Sequence, residues 1–314
     1  MKIKARKIVA LLGIVSASLA LSACHNINST NPSTTPNNVA EQSNQTTTLN
    51  IQYSKLANLN FTSGKQAIIE LNSNNATLNP NDWQGPKINF QNLDPFNRTS
   101  GSNTAFLSKL NVDALSSMRT IQYVKPSGWH INIPGKEIYN RGHLIAYSLS
   151  KGINKKGIYS PNSQAGDQNN PRNLFTQTAF ANKALQTIFE DKVRMALIHN
   201  KKVIYQATPI FRGSELMARG IHLQAISTDR SLNFNVYIFN VQPGYSFNYQ
   251  TGKATVDKNM YVLFNNQKIN SFDTTNYHRH DRYFHGHQLI RKIAHSKIYT
   301  FCKNKVNTIF HSNQ

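Results

Sequence analysis

The sequence predicts an α+β domain, and three observations predict it. A long stretch with helical periodicity covers 178–200, segments of alternating apolar and polar residues follow it, and short apolar segments punctuated by Gly and Pro precede it. Before the helix, Thr120–Lys125 and Trp129–Ile133 read as short strands around the turn Pro126-Ser127-Gly128. The helix carries Leu185, Ile188, Phe189 and Ala196 as its apolar stripe, and Asn200 with two lysines ends it. Val203–Phe211, Ile221–Ser227 and Asn233–Val241 then read as strands, the last alternating Phe234, Val236 and Ile238. No internal repeat is present.

The chain divides by composition. Residues 1–23 form an address: Lys2, Lys4, Arg6 and Lys7 precede the apolar run Ile8–Leu21, which is too short to span a bilayer. Leu21-Ser22-Ala23-Cys24 resembles the lipobox of bacterial lipoproteins, which implies a lipid on Cys24; a plain secretory signal with a chance cysteine is the alternative. Residues 24–50 hold the lipidated cysteine and a stalk whose one charged residue is Glu41, too poor in apolar residues to fold. A single domain is expected over 51–255, followed by a basic, His-rich extension over 256–314.

Only Cys24 and Cys302 are present, so lipidation leaves no disulfide within one mature chain. Removing residues 1–23 takes four cations from a net +21 and leaves +17. A charge of this size points to a polyanionic partner, nucleic acid or an anionic surface, and says nothing about fold.

The chemistry concentrates in two places. Tyr139-Asn140-Arg141-Gly142-His143-Leu144 ends the strand region, and the helix presents Asn182, Gln186 and Glu190. At about 100° per residue, Asn182 and Glu190 fall about 80° apart, beside the apolar stripe, where a metal or its waters are partly shielded. Together with Asn92-Leu93-Asp94 and Arg98, Pro126 to His130, Asn170 to Asn173, Gln177 to Asn182, and segments through Gly252, this order resembles the DNA/RNA non-specific endonucleases. These are ββα-metal (His-Me finger) nucleases with an Asp-Arg-Gly-His signature, and the likeness is nearest to bacterial DNA-entry nucleases.

The resemblance implies a ββα-metal core with a mixed or antiparallel sheet and a metal-dependent endonuclease, sugar-non-specific or DNA-preferring. It implies that His143 is the general base and Asn182 the protein ligand of a divalent ion, Mg²⁺ with Mn²⁺ as a substitute. Glu190 matches a carboxylate holding the ion's waters, and Asn173 and Gln177 match polar residues lining the site. Arg141 matches the signature arginine, facing phosphate or supporting the loop. Histidine titrates near neutrality and suits proton abstraction, and magnesium accepts one amide oxygen while keeping most of its waters.

The signature's first residue is Asp in the family and Asn140 here. Its lost charge matters if the carboxylate tunes the histidine, and little if the position is a local hydrogen-bonding group. His130, His199 and His222 read as structural or surface residues. The extension holds six of the eleven histidines among Arg and Lys, and reads as an arm for nucleic acid or anionic lipid in preference to a transition-metal site. The competing class is a non-catalytic nucleic-acid-binding surface lipoprotein. Expected partners are DNA, RNA as a second substrate, and the membrane through Cys24 in the cell envelope; no protein partner is evident.

Overall fold

The computed structural model describes residues 52–112, 121–162 and 168–273. The proposed signal, Cys24, the stalk and the histidines of the extension lie outside the described residues. Twelve strands are named in chain order: β1 (Ile68–Glu70), β2 (Lys87–Asn89), β3 (Asn103–Leu107), β4 (Tyr139–His143), β5 (Leu174–Thr178), β6 (Val203–Ile210), β7 (Gly220–Ser227), β8 (Asn233–Phe239), β9 (Tyr245–Asn248), β10 (Lys253–Val256), β11 (Val262–Phe264) and β12 (Gln267–Ile269). The long α-helix, α1 (Thr187–Ile198), continues directly from a π-helical segment, Ala181–Gln186, and a short helical stretch covers 52–57.

The centre is a six-stranded sheet in the order β1-β8-β7-β6-β3-β2, with every neighbouring pair antiparallel. The strands expected over 203–211, 221–227 and 233–241 are therefore found as β6, β7 and β8. Every residue of β7 is buried, so both faces of the sheet are covered. Val203, Tyr205, Ala207, Leu223 and Ala225 belong to the main core, against which Phe189, Val193 and Leu197 of α1 pack. Phe189 meets Phe234 with ring centroids 5.1 Å apart. Truncating such a core aromatic costs about 3–5 kcal/mol, so this contact sets where the helix lies.

The opposite face is more polar: Gln224 donates to Gln206 at 2.9 Å, and the His222 ring pairs with Asn235 Oδ1 at 2.7 Å. His222 is thus a satisfied interior histidine.

Two expected strands are absent. Residues 121–126 and 129–132 are irregular, with only an isolated bridge between Ile133 and Lys136. Alternating apolar residues suggested strands here, but Ile121, Tyr123, Ile131 and Ile133 stay exposed, so the pattern finds no face to bury. The strand that carries the signature is β4, and its partner β5 lies 31 residues further on, too far for a turn-based reading to pair them.

The core also continues past residue 255. Met260 and Val262 are buried in it, and Phe272 meets Phe180 edge to face with ring centroids 5.3 Å apart. Among the described residues no helix is long and apolar enough to cross a membrane.

Candidate functional site

β4 and β5 form a separate two-stranded ladder in which Asn140 faces Gln177, Arg141 faces Thr176 and His143 faces Leu174. Its end is fixed to the segment after β8: Thr178 N donates to Asn240 Oδ1 at 2.8 Å and Phe180 N to Gln242 Oε1 at 2.9 Å. The helix begins at once, so strand, strand and helix form one compact ββα unit. Strand alternation puts Asn140 and Gly142 on one side of β4, and Arg141 and His143 on the other.

His143 is the last residue of β4 and 8% exposed. Its Nε2 lies 3.2 Å from the carbonyl oxygen of Gln168. A carbonyl only accepts, so Nε2 carries the hydrogen and Nδ1 is left with its lone pair. Burial lowers its pKa to about 4, and the Gln168 carbonyl opposes part of that shift. The ring is therefore a neutral proton acceptor at physiological pH. The carbonyl that sets its tautomer belongs to the backbone, which no residue pattern announces.

On the other side of β4 runs a chain of side-chain amides. Asn140 lies 3.1 Å from Asn182 Oδ1, and Asn182 Nδ2 donates to Gln177 Oε1 at 2.8 Å. Gln177 Nε2 donates to Gln186 Oε1 at 2.9 Å. Gln186 Nε2 then donates to the His143 carbonyl at 2.8 Å and to Glu190 Oε1 at 2.7 Å. The polarity of this chain is fixed at its far end, because the His143 carbonyl accepts and the Glu190 carboxylate accepts when ionised. Gln186 must aim its nitrogen at them, Gln177 must follow, and Asn182 is left presenting its oxygen away from Gln177.

Gly142 makes room for this chain. A Cβ there would stand 2.7 Å from Gln177 Cβ and closer still to Oε1, so the glycine of Arg-Gly-His lets Gln177 lie across the strand. The π-helical segment matters equally. It holds Asn182 and Gln186, so the 100° spacing used to relate Asn182 to Glu190 does not apply along that stretch.

Glu190 is half-buried, and burial raises its carboxyl to about 7, partly offset by the Gln186 hydrogen bond and by Arg194. Arg194, one turn beyond it, drew no attention in the sequence, although its i+4 spacing from Glu190 was the available signal.

The remaining expected residues sit nearby in other contacts. Asn173 is buried and uses both ends of its amide on the backbone of Ile145, at 3.0 and 2.9 Å, which fixes the chain leaving β4. Arg141 donates through Nε to the Val124 carbonyl and stacks over Trp129 at 4.3 Å. Glu137, just before β4, pairs with Lys183 at 2.8 Å and was not singled out in the sequence. Among the described residues no three His, Cys, Asp or Glu side chains come together as a metal cage.

The family model for DNA/RNA non-specific endonuclease matches residues 75–229. The crystal structure of NucA from Streptococcus agalactiae with magnesium ion bound is 30% identical, with a TM-score of 0.53, covering 68% of this chain and 96% of that one. The chain belongs to the DNA/RNA non-specific endonuclease family. The structure of the same NucA with no metal bound aligns equally, at 31% identity, a TM-score of 0.52, and 68% and 97% coverage. A deoxyribonuclease of Streptococcus dysgalactiae subsp. equisimilis is 32% identical over 118 residues, 37% of this chain and 32% of that protein. This chain thus spans about a third of that relative's length. In this chain the ββα unit described above carries Asn140 to His143 and the helix that follows β5.

Proposed function

We propose that this protein is a divalent-metal-dependent endonuclease that hydrolyses phosphodiester bonds in DNA, and in RNA as a second substrate, with His143 as general base. The observation that carries the reading is the His143 ring, held neutral with Nε2–H on Gln168 and Nδ1 free to accept. Nδ1 takes a proton from water as its oxygen attacks phosphorus; the P–O bond in line with that attack breaks, and the leaving oxygen is protonated from solvent.

Asn182 fits a hard cation: its amide oxygen is turned away from Gln177, toward Asn140, and amide oxygen is a donor that magnesium accepts. The NucA structure with magnesium bound supports Mg²⁺ for this chain, with Mn²⁺ as a substitute. The ion, when bound, neutralises charge developing on the phosphate. Glu190 holds water beside it, while Asn173 and Gln177 hold the frame. Arg141, committed to Val124 and Trp129, supports the loop in preference to gripping phosphate.

The chain is placed in the cell envelope, anchored through a lipid on Cys24 and held off the membrane by residues 25–50. Full-length protein incubated with circular DNA and Mg²⁺ is expected to open and then fragment the circle. His143→Ala should lose this activity while keeping DNA affinity and thermal stability. Cleavage by His143→Ala at the wild-type rate would reject the base, and binding without cleavage by the wild type would favour a non-catalytic surface binder.

A further inference from the structure

The Glu137 carboxylate lies against both Lys183 and Asn140. Oε2 pairs with Lys183 Nζ at 2.8 Å, the carboxylate being 27% and the lysine 18% exposed. Oε1 lies 2.6 Å from the side-chain amide of Asn140. An amide turned through half a turn occupies the same space, so its neighbours decide which end is nitrogen.

With Nδ2 toward Asn182 Oδ1 at 3.1 Å, the Asn140 oxygen would face two acceptors, the Tyr139 carbonyl and Glu137 Oε1. Turned the other way, Nδ2 donates to Tyr139 O at 2.9 Å and to Glu137 Oε1 at 2.6 Å. This orientation gains a charge-assisted hydrogen bond and removes two acceptor–acceptor contacts, so it is the one the surroundings select. It leaves Asn140 Oδ1 3.1 Å from Asn182 Oδ1. Asn182 cannot answer by turning its own amide, because its Nδ2 is held by Gln177 and the polarity of Gln177 is fixed through Gln186. Two amide oxygens at this separation repel unless a donor or a cation lies against both, and hard oxygen donors suit a divalent cation.

We propose that Glu137 is a positioning residue that turns the Asn140 amide, so that its oxygen joins that of Asn182 at the divalent-cation seat. Its carboxylate thereby takes the place of the one the family signature carries at position 140. The inference rests on the nuclease reading for the identity of the seat. It also accounts for the departure from the signature: an aspartate at 140 would set carboxylate against carboxylate across the 2.6 Å that a hydrogen bond now spans. Lys183 follows Asn182 directly, so its pair with Glu137 ties the approach to β4 to the helix beside the same seat.

Mn²⁺ titration of the full-length protein without nucleic acid, followed by electron paramagnetic resonance, tests this. The component of binding lost in Asn182→Ala defines the seat. Glu137→Ala should weaken that component on the order of tenfold, as loss of an outer-shell partner does, with the metal-free melting temperature little changed. Asn140→Asp should restore it in the Glu137→Ala background, because a carboxylate offers oxygen whichever way it turns. The gain from Asn140→Asp should be larger there than in the wild type. Wild-type affinity in Glu137→Ala, no recovery in the double variant, or equal gains in both backgrounds would overturn the inference alone. No loss of binding in Asn182→Ala would overturn it together with the metal assignment of the nuclease reading.

Discussion

His143 shows how position converts an ordinary side chain into a specified one. Burial brings its pKa to about 4, below the 6.5 of an open histidine. As pH falls from 6.5 toward 4, the unfolded chain takes up a proton that the native site refuses, so stability is lost through that window. The full effect is about 3 kcal/mol. Denaturant titrations at pH 6.5 and 4.5 should therefore show a smaller loss for His143→Ala than for the wild type; equal losses would mean the ring titrates normally. Gly142 is the other position with a sharp expectation. Gly142→Ala drives Gln177 off the strand, which should cost about 1–3 kcal/mol by overpacking and at least tenfold in cleavage rate. Adding Gln177→Ala should relieve the overpacking without restoring activity, and recovery of activity would show that the amide chain is dispensable.

The element that decides the site is the helix, with its π-helical first turns and regular α1. Helical periodicity along 178–200 announced the helix correctly, and Asn200 ends it with φ +62°, while Lys201 N reaches the Ala196 carbonyl at 3.0 Å. The π-helical segment was not legible, because it preserves the residue order and changes only the angle between successive side chains. Glu190 lies just past that segment with its carboxyl raised to about 7, above its usual 4.5. The native state then holds the proton more tightly than the unfolded one, and the stability this confers is lost as pH rises through 7. A divalent cation nearby favours the ionised form, so Mg²⁺ should raise the melting temperature more at pH 8 than at pH 5. Glu190→Gln should flatten that difference in a thermal-shift assay; an unchanged difference would place Glu190 outside the influence of the ion.

In the whole molecule the folded core runs past residue 255. Composition and length put a boundary at 255, yet Met260, Val262 and Phe272 pack into the same core as α1. Truncation after residue 255 should therefore lower stability by several kcal/mol, at about 2–5 kcal/mol for each large apolar side chain removed. Truncation after residue 273 should leave melting and turnover intact. If the basic extension grips nucleic acid, this second truncation also flattens the salt dependence of DNA binding, by about 0.7–0.9 in log–log slope for each phosphate that the extension neutralises. Identical slopes would remove the extension from the interface, and melting unchanged after truncation at residue 255 would show that the last strands contribute nothing.

The sequence by itself determined the α+β class, the helix, the three long strands and the order of polar residues that marks the family. These follow from local rules: periodicity, turn residues and spacing act along the chain and survive without knowledge of its partners. Only the tertiary structure decided that 121–126 and 129–132 are irregular, and that β4 pairs with β5 from 31 residues away. It alone decided that Gln168 contributes a carbonyl to His143 and that Glu137 stands against Asn140. Each of these depends on which backbone or carboxylate arrives from elsewhere in the fold, and a residue type carries no record of its neighbour across space.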